Sequence, residues 1–298
     1  MQKKKILMTM AALSLFIWGA AVIAQELSDP KIEKDIVYGK TADDEELKLD
    51  MAHPPSGEGP FPLIIFLHGG GWRMGDRSEY HEGLRGFAKL GWVGATIQYR
   101  FAPKYKFPAQ IDDVRMALAF LRANAKKYNL DPNRIGVVGG SAGGHLSLLL
   151  GLSKDKDGKP APGVRAVVNM SGPADFRTWR IGEDGEKALR GATGRDLNGM
   201  IEDFLGTSDR KSRVIAEVSP ITHVRKGNPA AVLTLHGSAD PLAPVQHSKD
   251  LHQALKQAGV TEKLVVLEGE GHGFEGEQKV KAILEMVDFL DRYVKKAP

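Results

Sequence analysis

From residue 36 onward, short apolar runs rich in β-branched residues alternate with longer segments that have helical spacing. The runs that predict strands are Leu63–Leu67, Val93–Tyr99, Ile135–Val138, Val164–Met170, Ala231–Leu235 and Leu264–Leu267. The helical spacing covers Pro108–Ala125, Ala142–Leu152, Pro244–Ala258 and Glu277–Val294. Strands that alternate with helices are typical of a mostly parallel sheet covered on both faces. The chain is therefore predicted to be an α/β protein.

Two segments depart from this alternation. Ile36–Tyr38 and Leu47–Met51 flank an acidic turn and predict a hairpin at the edge of the sheet. Residues 177–213 are polar, contain glycines and are longer than a usual connection. Because long loops in compact domains are commonly functional, we expect this segment to form a small cap or lid over the site.

The first 24 residues have the pattern of a signal peptide. Three lysines precede the apolar run Ile6–Ala21, and small residues follow it. An uncleaved anchor is the alternative, but the run is shorter than the roughly 20 residues of a membrane span. We therefore expect a catalytic domain over residues 25–298 that is secreted or periplasmic, with no membrane span after cleavage.

Composition and charge exclude several function classes. The net charge is +4, and three of those charges are the N-terminal lysines, so a nucleic-acid partner is not expected. The chain has no cysteine, which excludes disulfides and thiol nucleophiles. No metal-binding or phosphate-binding motif is present, so neither a metal nor a cofactor is expected. The oligomeric state stays open.

Residues 139–143 read Gly-Gly-Ser-Ala-Gly and lie between a predicted strand and a predicted helix. In a nucleophile elbow, a serine occupies a strained strand-to-helix turn. Glycines two residues to either side let the neighbouring backbone pass without a Cβ clash. Ser141 is therefore the candidate nucleophile.

A serine hydroxyl needs a base to accept its proton, and the base needs a carboxylate to orient it. His272 follows the last predicted strand and is the candidate base, unless it is only a solvated loop histidine. Asp240 follows the preceding strand and is the candidate acid, although it could instead cap the helix that begins near Pro244. Glu268 and Glu270 are rivals for the acid role, but they adjoin His272 in sequence.

The segment from His68 to Trp72 reads His-Gly-Gly-Gly-Trp and directly follows a predicted strand. Negative charge develops on the carbonyl oxygen during acyl transfer, and backbone N–H groups aimed at it are stabilising. The candidate donors of this oxyanion hole are Gly70, Gly71 and Ala142. The alternative for the glycine triplet is a plain turn.

Five residues beside these motifs have either a site role or a packing role. Trp72 and Phe274 either line the acyl pocket as substrate-binding residues or simply pack. His145 and His236 are expected to be hydrogen-bonded core histidines, and His68 is expected to brace the glycine loop.

Taken together, the motifs resemble the hormone-sensitive-lipase-like and acetylxylan/feruloyl-esterase-like α/β-hydrolases. The likeness rests on residues 68–72, on Tyr-Arg-Phe-Ala-Pro at 99–103 with Phe-Pro-Ala at 107–109, and on residues 139–145. It runs from about Ile36 to Tyr293. It implies an eight-stranded sheet with an antiparallel second strand, the triad order Ser141, Asp240, His272, and no cofactor.

Two departures from the family pattern concern the substrate. Lys104 stands where the family usually has Glu, with Phe101 in place of Leu, and the N-terminal cap helices of the lipase-like branch are missing. Both favour the secreted carbohydrate-esterase-like branch. The resemblance therefore implies a serine carboxylic ester hydrolase acting on short-acyl or polysaccharide-linked acetyl and feruloyl esters.

Three alternatives stay open. An arylformamidase-like amidase shares a His-Gly-Gly-x-Trp loop, and a serine peptidase shares the triad. A peptidase of the prolyl-oligopeptidase type is disfavoured because no gating domain precedes the core. A non-catalytic binding module on a hydrolase scaffold typically loses a triad member, whereas all three candidates are present here.

Overall fold

A computed structural model of the protein describes residues 29–296, so the signal peptide predicted over residues 1–24 lies outside the described residues. Eight strands form one sheet: β1 (Ile32–Lys40), β2 (Glu46–Ala52), β3 (Phe61–Leu67), β4 (Val93–Ile97), β5 (Leu130–Gly140), β6 (Val164–Met170), β7 (Ala231–Gly237) and β8 (Glu262–Leu267). Their order across the sheet is β1-β2-β4-β3-β5-β6-β7-β8.

The second strand differs in direction from its two neighbours in the sheet. β2 runs antiparallel to both of its neighbours, β1 and β4. The remaining pairings, from β3 with β4 to β7 with β8, are parallel. The predicted hairpin and the predicted mostly parallel eight-stranded sheet are therefore confirmed. The carboxyl ends of the parallel strands share one edge, where ligands bind in open α/β sheets.

The helices of the described residues are α1 (His81–Lys89), α2 (Ala109–Ala123), α3 (Ala142–Leu152), α4 (Glu183–Thr193), α5 (Leu197–Leu205), α6 (Arg213–Val218), α7 (Val245–Gln257) and α8 (Gly276–Leu290). Short 3₁₀ turns cover Arg77–Tyr80 and Pro220–His223, and a π-helical turn covers Asp291–Lys295. The bounds of α3 and β6 are those predicted. The helix predicted to reach Val294 ends at Leu290, and α1 has no counterpart in the prediction.

Successive strand residues face opposite sides of the sheet, because side chains alternate along a strand. On β3, Leu63 and Ile65 join a core that also includes residues of α2, α3 and α7. Their neighbours Ile64 and Phe66 join a second core with residues of α1 and α8. The sheet is therefore covered by helices on both faces, as predicted.

Residues 177–213, the predicted cap, form α4 and α5 and reach the first residue of α6. On α5, Phe204 is buried and stacks on the ring of Trp72, with 4.3 Å between ring centroids. The segment therefore packs on the glycine loop. Within residues 29–296, no helix combines the length and the apolar character needed to cross a bilayer.

Candidate active site

Ser141 lies at the junction of β5 and α3. Its backbone has φ of 54° and ψ of −119°, which is a strained conformation for a residue with a side chain. The N–H of Ser141 donates to the carbonyl oxygen of Met170 at 2.8 Å, which holds the turn against the end of β6. The serine side chain is therefore presented at the carboxyl edge of the sheet.

The two flanking glycines of this turn are required by space. A Cβ atom on Gly139 would lie 2.3 Å from the carbonyl group of Gly143. A Cβ atom on Gly143 would lie 1.9 Å from the carbonyl oxygen of Leu67. Either atom would be closer than van der Waals contact allows. Glycine at 139 therefore lets the turn close on itself, and glycine at 143 lets it pack against the end of β3.

The structure brings Ser141, His272 and Asp240 together, although they are far apart in the sequence. Nε2 of His272 lies 2.8 Å from Oγ of Ser141, and Nδ1 lies 2.8 Å from Oδ2 of Asp240. A carboxylate only accepts hydrogen bonds, so Nδ1 carries the proton and donates it to Asp240. Nε2 is then free to accept the hydroxyl proton of Ser141.

Asp240 is a fully buried carboxylate with several donors. Its Oδ1 accepts the N–H groups of Leu242 at 2.8 Å and Ala243 at 3.0 Å. Burial alone would raise its pKa, but hydrogen bonds from His236 and His272 outweigh burial and hold the pKa of Asp240 below its ordinary value. The carboxylate is therefore ionised and can stabilise a protonated His272.

The candidate carboxylates differ in their position relative to His272. The bonds to Oδ1 of Asp240 lie in the turn before α7, which begins at Val245, so the same side chain also orders this turn. Glu270 accepts a hydrogen bond from the N–H of Glu275, and Glu268 is exposed. Among these carboxylates, Asp240 is the one hydrogen-bonded to His272.

Two loops that carry Asp240 and His272 are hydrogen-bonded to each other. The N–H of Ala239 donates to the carbonyl oxygen of Glu270 at 2.9 Å, and the N–H of Gly269 donates to Oγ of Ser238 at 2.9 Å. The loops approach so closely that a Cβ atom on Gly237 would lie 2.2 Å from the carbonyl oxygen of Gly271. This pairing fixes the distance between the acid and the imidazole.

The glycine loop after β3 crosses directly over the elbow. A Cβ atom on Gly69 would lie 3.4 Å from Cβ of Ser141. Gly70 and Gly71 have φ of 98° and 58°, and their N–H groups donate to no acceptor within residues 29–296. Ala142 is the first residue of α3, where a backbone N–H has no intrahelical acceptor. The three predicted oxyanion-hole donors are therefore unpaired near Ser141.

Trp72 anchors this loop instead of lining a pocket. Its side chain is only 1% exposed. Its indole N–H donates to Nδ1 of His145 at 3.1 Å, and Nε2 of His145 donates to the carbonyl oxygen of Val218 at 2.7 Å. The structure thus puts Trp72 in the core, because His145 on α3 and Phe204 on α5 both bind its ring. Burial lowers the pKa of His145 to about 3, so His145 is a neutral core histidine.

His68 braces the glycine loop from below. Its Nδ1 lies 2.9 Å from the carbonyl oxygen of Gly69, and its ring stacks on Tyr99 with 4.4 Å between centroids. The hydroxyl of Tyr99 donates to the carbonyl oxygen of His68 at 2.9 Å. The predicted bracing position of His68 is therefore the observed one.

A cleft with a volume of about 880 Å³ opens beside Ser141 and His272. Of the two aromatic residues expected either to line the pocket or to pack, Phe274 lines this cleft and Trp72 does not. Other lining residues were not predicted from the sequence: Phe66, Tyr80, Phe87, Val138, Met170, Ala282, Ile283, Met286 and Val287. They come from six separate elements, and no local motif marks them. A larger cleft of about 1160 Å³ between α2 and α6 contains none of the three triad candidates.

Within the described part of the chain, no three His, Asp or Glu side chains are grouped to hold a metal ion.

Family comparisons place the chain among hydrolases. The BD-FAE family model matches residues 49–255, and the dienelactone hydrolase family model matches residues 216–297. Esterase LipC of Mycobacterium tuberculosis is 35% identical over 72% of this chain and 54% of its own length. LipM of the same organism, a probable carboxylic ester hydrolase, is 32% identical over 75% of this chain and 51% of its own length. The chain thus spans about half the length of these curated relatives.

Solved structures have the same fold. An esterase from the Planctomycetes species Thermogutta terrifontis, bound to propionate, is 26% identical with a TM-score of 0.69, covering 89% of this chain and 94% of that one. A truncated carbohydrate esterase from gut microbiota is 23% identical with a TM-score of 0.71, covering 89% and 97%, and shows likeness of fold alone. The match over residues 49–255 shows that the chain belongs to the BD-FAE family of α/β-hydrolases, and the sheet order and the elbow agree with this.

Proposed function

We propose that this protein is a serine carboxylic ester hydrolase in which Ser141, His272 and Asp240 act as nucleophile, base and acid. The observation that carries the proposal is the pair of 2.8 Å contacts that link Oγ of Ser141 to His272 and His272 to the buried carboxylate of Asp240. The esterase relatives LipC and LipM support the same reaction class. A buried carboxylate, an imidazole and a serine hydroxyl in this order are the parts that acyl transfer requires.

In the first half of the reaction, Oγ of Ser141 attacks the ester carbonyl while Nε2 of His272 accepts the hydroxyl proton. The carbonyl oxygen becomes negatively charged and is held by the N–H groups of Gly70, Gly71 and Ala142. His272 then gives its proton to the departing alcohol, and the acyl group stays on Ser141. Asp240 stabilises the protonated imidazole during this step.

In the second half, water replaces the alcohol. His272 takes a proton from the water as its oxygen attacks the acyl carbonyl, and returns that proton to Oγ of Ser141 when the bond breaks. The net change is one ester and one water converted to one carboxylic acid and one alcohol. No external cofactor is needed to balance these steps.

The substrate range is part of the proposal. Short-acyl esters and polysaccharide-linked acetyl or feruloyl esters are the substrates that the sequence resemblance implies. The Thermogutta terrifontis esterase, at 26% identity, was solved with propionate and with butyrate. These ligands support turnover of propionyl and butyryl esters by this protein.

The first test is covalent labelling. A fluorophosphonate probe should modify Ser141 in the folded protein, and Ser141→Ala should abolish the adduct and lower kcat on p-nitrophenyl butyrate by about 10⁶-fold. A formyl-amide substrate measured in parallel separates esterase from arylformamidase-like activity. An unlabelled Ser141 in folded protein, with no turnover of either substrate, would favour the binding-module alternative.

We also propose that residues 1–24 direct the protein out of the cytoplasm and are then removed. Sequencing the N-terminus of protein recovered from the periplasm or the culture medium should give a chain that begins near Gln25. A retained N-terminus in a membrane fraction would support the uncleaved anchor.

A further inference from the structure

We propose that the cleft beside Ser141 binds an extended alkyl chain of the ester, of eight to ten carbons, so that medium-chain esters are better substrates than acetyl esters. This inference rests on the proposed ester hydrolysis and adds the class of chain that the site accepts. Three features of the cleft support it: an apolar floor, two walls made by helices, and the length of these walls.

The floor of the cleft is made by the ends of three strands. Phe66 on β3 and Val138 on β5 are register partners, and Met170 ends the neighbouring strand β6. All three are apolar and belong to the sheet face that packs against α1 and α8. Val138 is fully buried and Phe66 nearly so, so an alkyl chain on this floor would contact chiefly the half-buried Met170. It would cover apolar surface there, which is favourable.

The first wall is one face of α1. Gly83, Gly86, Phe87 and Leu90 line the cleft, and their spacing of three and four residues puts them on one side of the helix. The two glycines leave space in the cleft because they carry no side chain. A Cβ atom on Gly86 would have no neighbour within 4 Å, and one on Gly83 would first meet the ring of Phe66 at 3.5 Å. Mid-helix glycine costs about 1 kcal/mol relative to alanine, so α1 keeps an open wall at the expense of helix stability.

The second wall is α8, which contributes Ala282, Ile283, Met286 and Val287. Ile283 on this wall is 45% exposed, and so is Leu90 on the opposite wall. Apolar side chains are therefore exposed to solvent along both sides of the cleft. The charged lining residues, Glu79, Glu82, Lys89 and Lys279, are all exposed to solvent. Charge therefore lies where water reaches, and the floor between the helices is apolar.

The length of the walls sets the length of the chain. Lining residues run from Glu82 on α1 to Leu90, the residue that caps this helix, and from Lys279 to Val287 on α8. Eight residues of α-helix rise by about 12 Å. An extended alkyl chain advances by about 1.25 Å per carbon, given a C–C bond near 1.5 Å and an angle near 111°. The cleft therefore accommodates eight to ten carbons, well beyond an acetyl group.

The test is a chain-length series with a plugged cleft. On p-nitrophenyl acetate, butyrate, hexanoate, octanoate and dodecanoate, kcat/KM should rise about two- to fourfold per added CH₂ and level off near eight to ten carbons. Gly86→Leu should lower the octanoate-to-acetate ratio at least tenfold, and Gly83→Leu should move the optimum to shorter chains. A parallel series of ethyl to octyl acetates shows whether the acyl or the alcohol chain occupies the cleft.

Gly191→Leu is the matched control. Gly191 is an exposed helical glycine of α4 that does not line the cleft, and its added Cβ would also have no neighbour within 4 Å. The chain-length profile of this variant should therefore be unchanged. Thermal melting of all three variants checks that they are folded. A flat profile of the natural protein in both the acyl series and the alkyl acetate series would overturn the proposal. So would a folded Gly86→Leu variant whose chain-length profile in both series equals that of Gly191→Leu.

A binding experiment separates this inference from the proposed reaction. Ser141→Ala should bind ethyl octanoate more tightly than ethyl acetate by calorimetry, and Gly86→Leu added to it should remove the difference. If no ester is turned over and Ser141 is not labelled, the hydrolase proposal fails while this measurement still decides the cleft. Equal affinity for both esters in Ser141→Ala would refute the cleft proposal even if the enzyme is active.

Discussion

Nε2 of His236 lies 3.2 Å from Oδ2 of Asp240, the same oxygen that faces His272. Nε2 also lies 2.7 Å from the carbonyl oxygen of Ala243, while Nδ1 lies 2.7 Å from the hydroxyl of Ser248. A carbonyl oxygen only accepts, so Nε2 of His236 carries a hydrogen and also donates toward Asp240. His236 is a core histidine, as predicted, but it is also a positioning residue for the acid.

We expect His236→Phe to lower kcat on p-nitrophenyl butyrate by about 10- to 100-fold, since a hydrogen bond to a charged group contributes about 1.5–3 kcal/mol. KM should change little, because His236 is fully buried and does not line the cleft. His236→Gln, whose amide N–H can replace the Nε2 donor, should recover most of kcat. If both variants keep kcat and lose only melting temperature, the ring is merely structural.

The sequence predicts the elements that a continuous apolar run or a glycine turn marks. β6 and α3 have the predicted bounds because turn residues end each run abruptly. β5 begins at Leu130 instead of Ile135. Leu130 pairs with Phe61 of β3, and the polar Asp-Pro-Asn-Arg that follows lies at an irregularity in that pairing, so no apolar run marks this part of the strand. α1 was not predicted because its two glycines interrupt the helical spacing of its apolar residues.

Some residues of the candidate site could likewise be predicted from the sequence, and others could not. Ser141, Asp240 and His272 follow strand ends, and the fold brings strand ends to one edge, so their proximity could be predicted. The position of Trp72 could not, because an aromatic residue suits a pocket wall and a core equally. Its burial depends on Phe204, which is 132 positions later in the chain. The cleft walls likewise depend on α1 and α8 facing each other across β3 and β5.

The elbow glycine at Gly143 provides a stability prediction. Gly143→Ala should lower the free energy of unfolding by about 3 kcal/mol or more, because its Cβ would lie 1.9 Å from the carbonyl oxygen of Leu67 and the backbone must shift. Gly191→Ala, on an open helical face, should raise it by up to about 1 kcal/mol. Urea unfolding followed by circular dichroism measures both. Equal effects of the two substitutions would contradict the close approach at the elbow.

Asp203 on α5 tests the proposed cap. Its carboxylate pairs with Arg73, which directly follows the glycine loop, and with Arg195 at 2.9 Å. Asp203→Ala should loosen α5 from the loop and lower kcat/KM about threefold to tenfold, as expected for loss of a charge-assisted hydrogen bond in a half-buried site. Glu217→Ala, which removes the exposed pair with Arg213, is the control. Identical kinetics for the two variants would show that this contact does not support the glycine loop.

The buried ring of His145 makes the stability of the protein depend on pH in the acid range. Burial lowers its pKa to about 3, whereas an unfolded histidine titrates near its usual pKa of about 6.5. Between those values the unfolded state binds one more proton than the folded state at this position. The free energy of unfolding should therefore fall as the pH drops below about 6.5, by up to about 1.4 kcal/mol per pH unit from this ring.

His145→Gln offers Trp72 an acceptor and Val218 a donor without a titrating ring. It should be less stable than the natural protein at pH 7, and the difference should shrink between pH 6.5 and 4.5. His247, whose pKa burial lowers to about 4, contributes with the same sign, so the variant keeps part of the slope. Urea unfolding at half-unit pH steps measures the effect. A stability difference that does not change with pH would mean that the His145 ring is protonated in the folded core. The hydrogen bonds argue against this, because Nε2 of His145 donates to the Val218 carbonyl oxygen and Nδ1 accepts the indole N–H of Trp72.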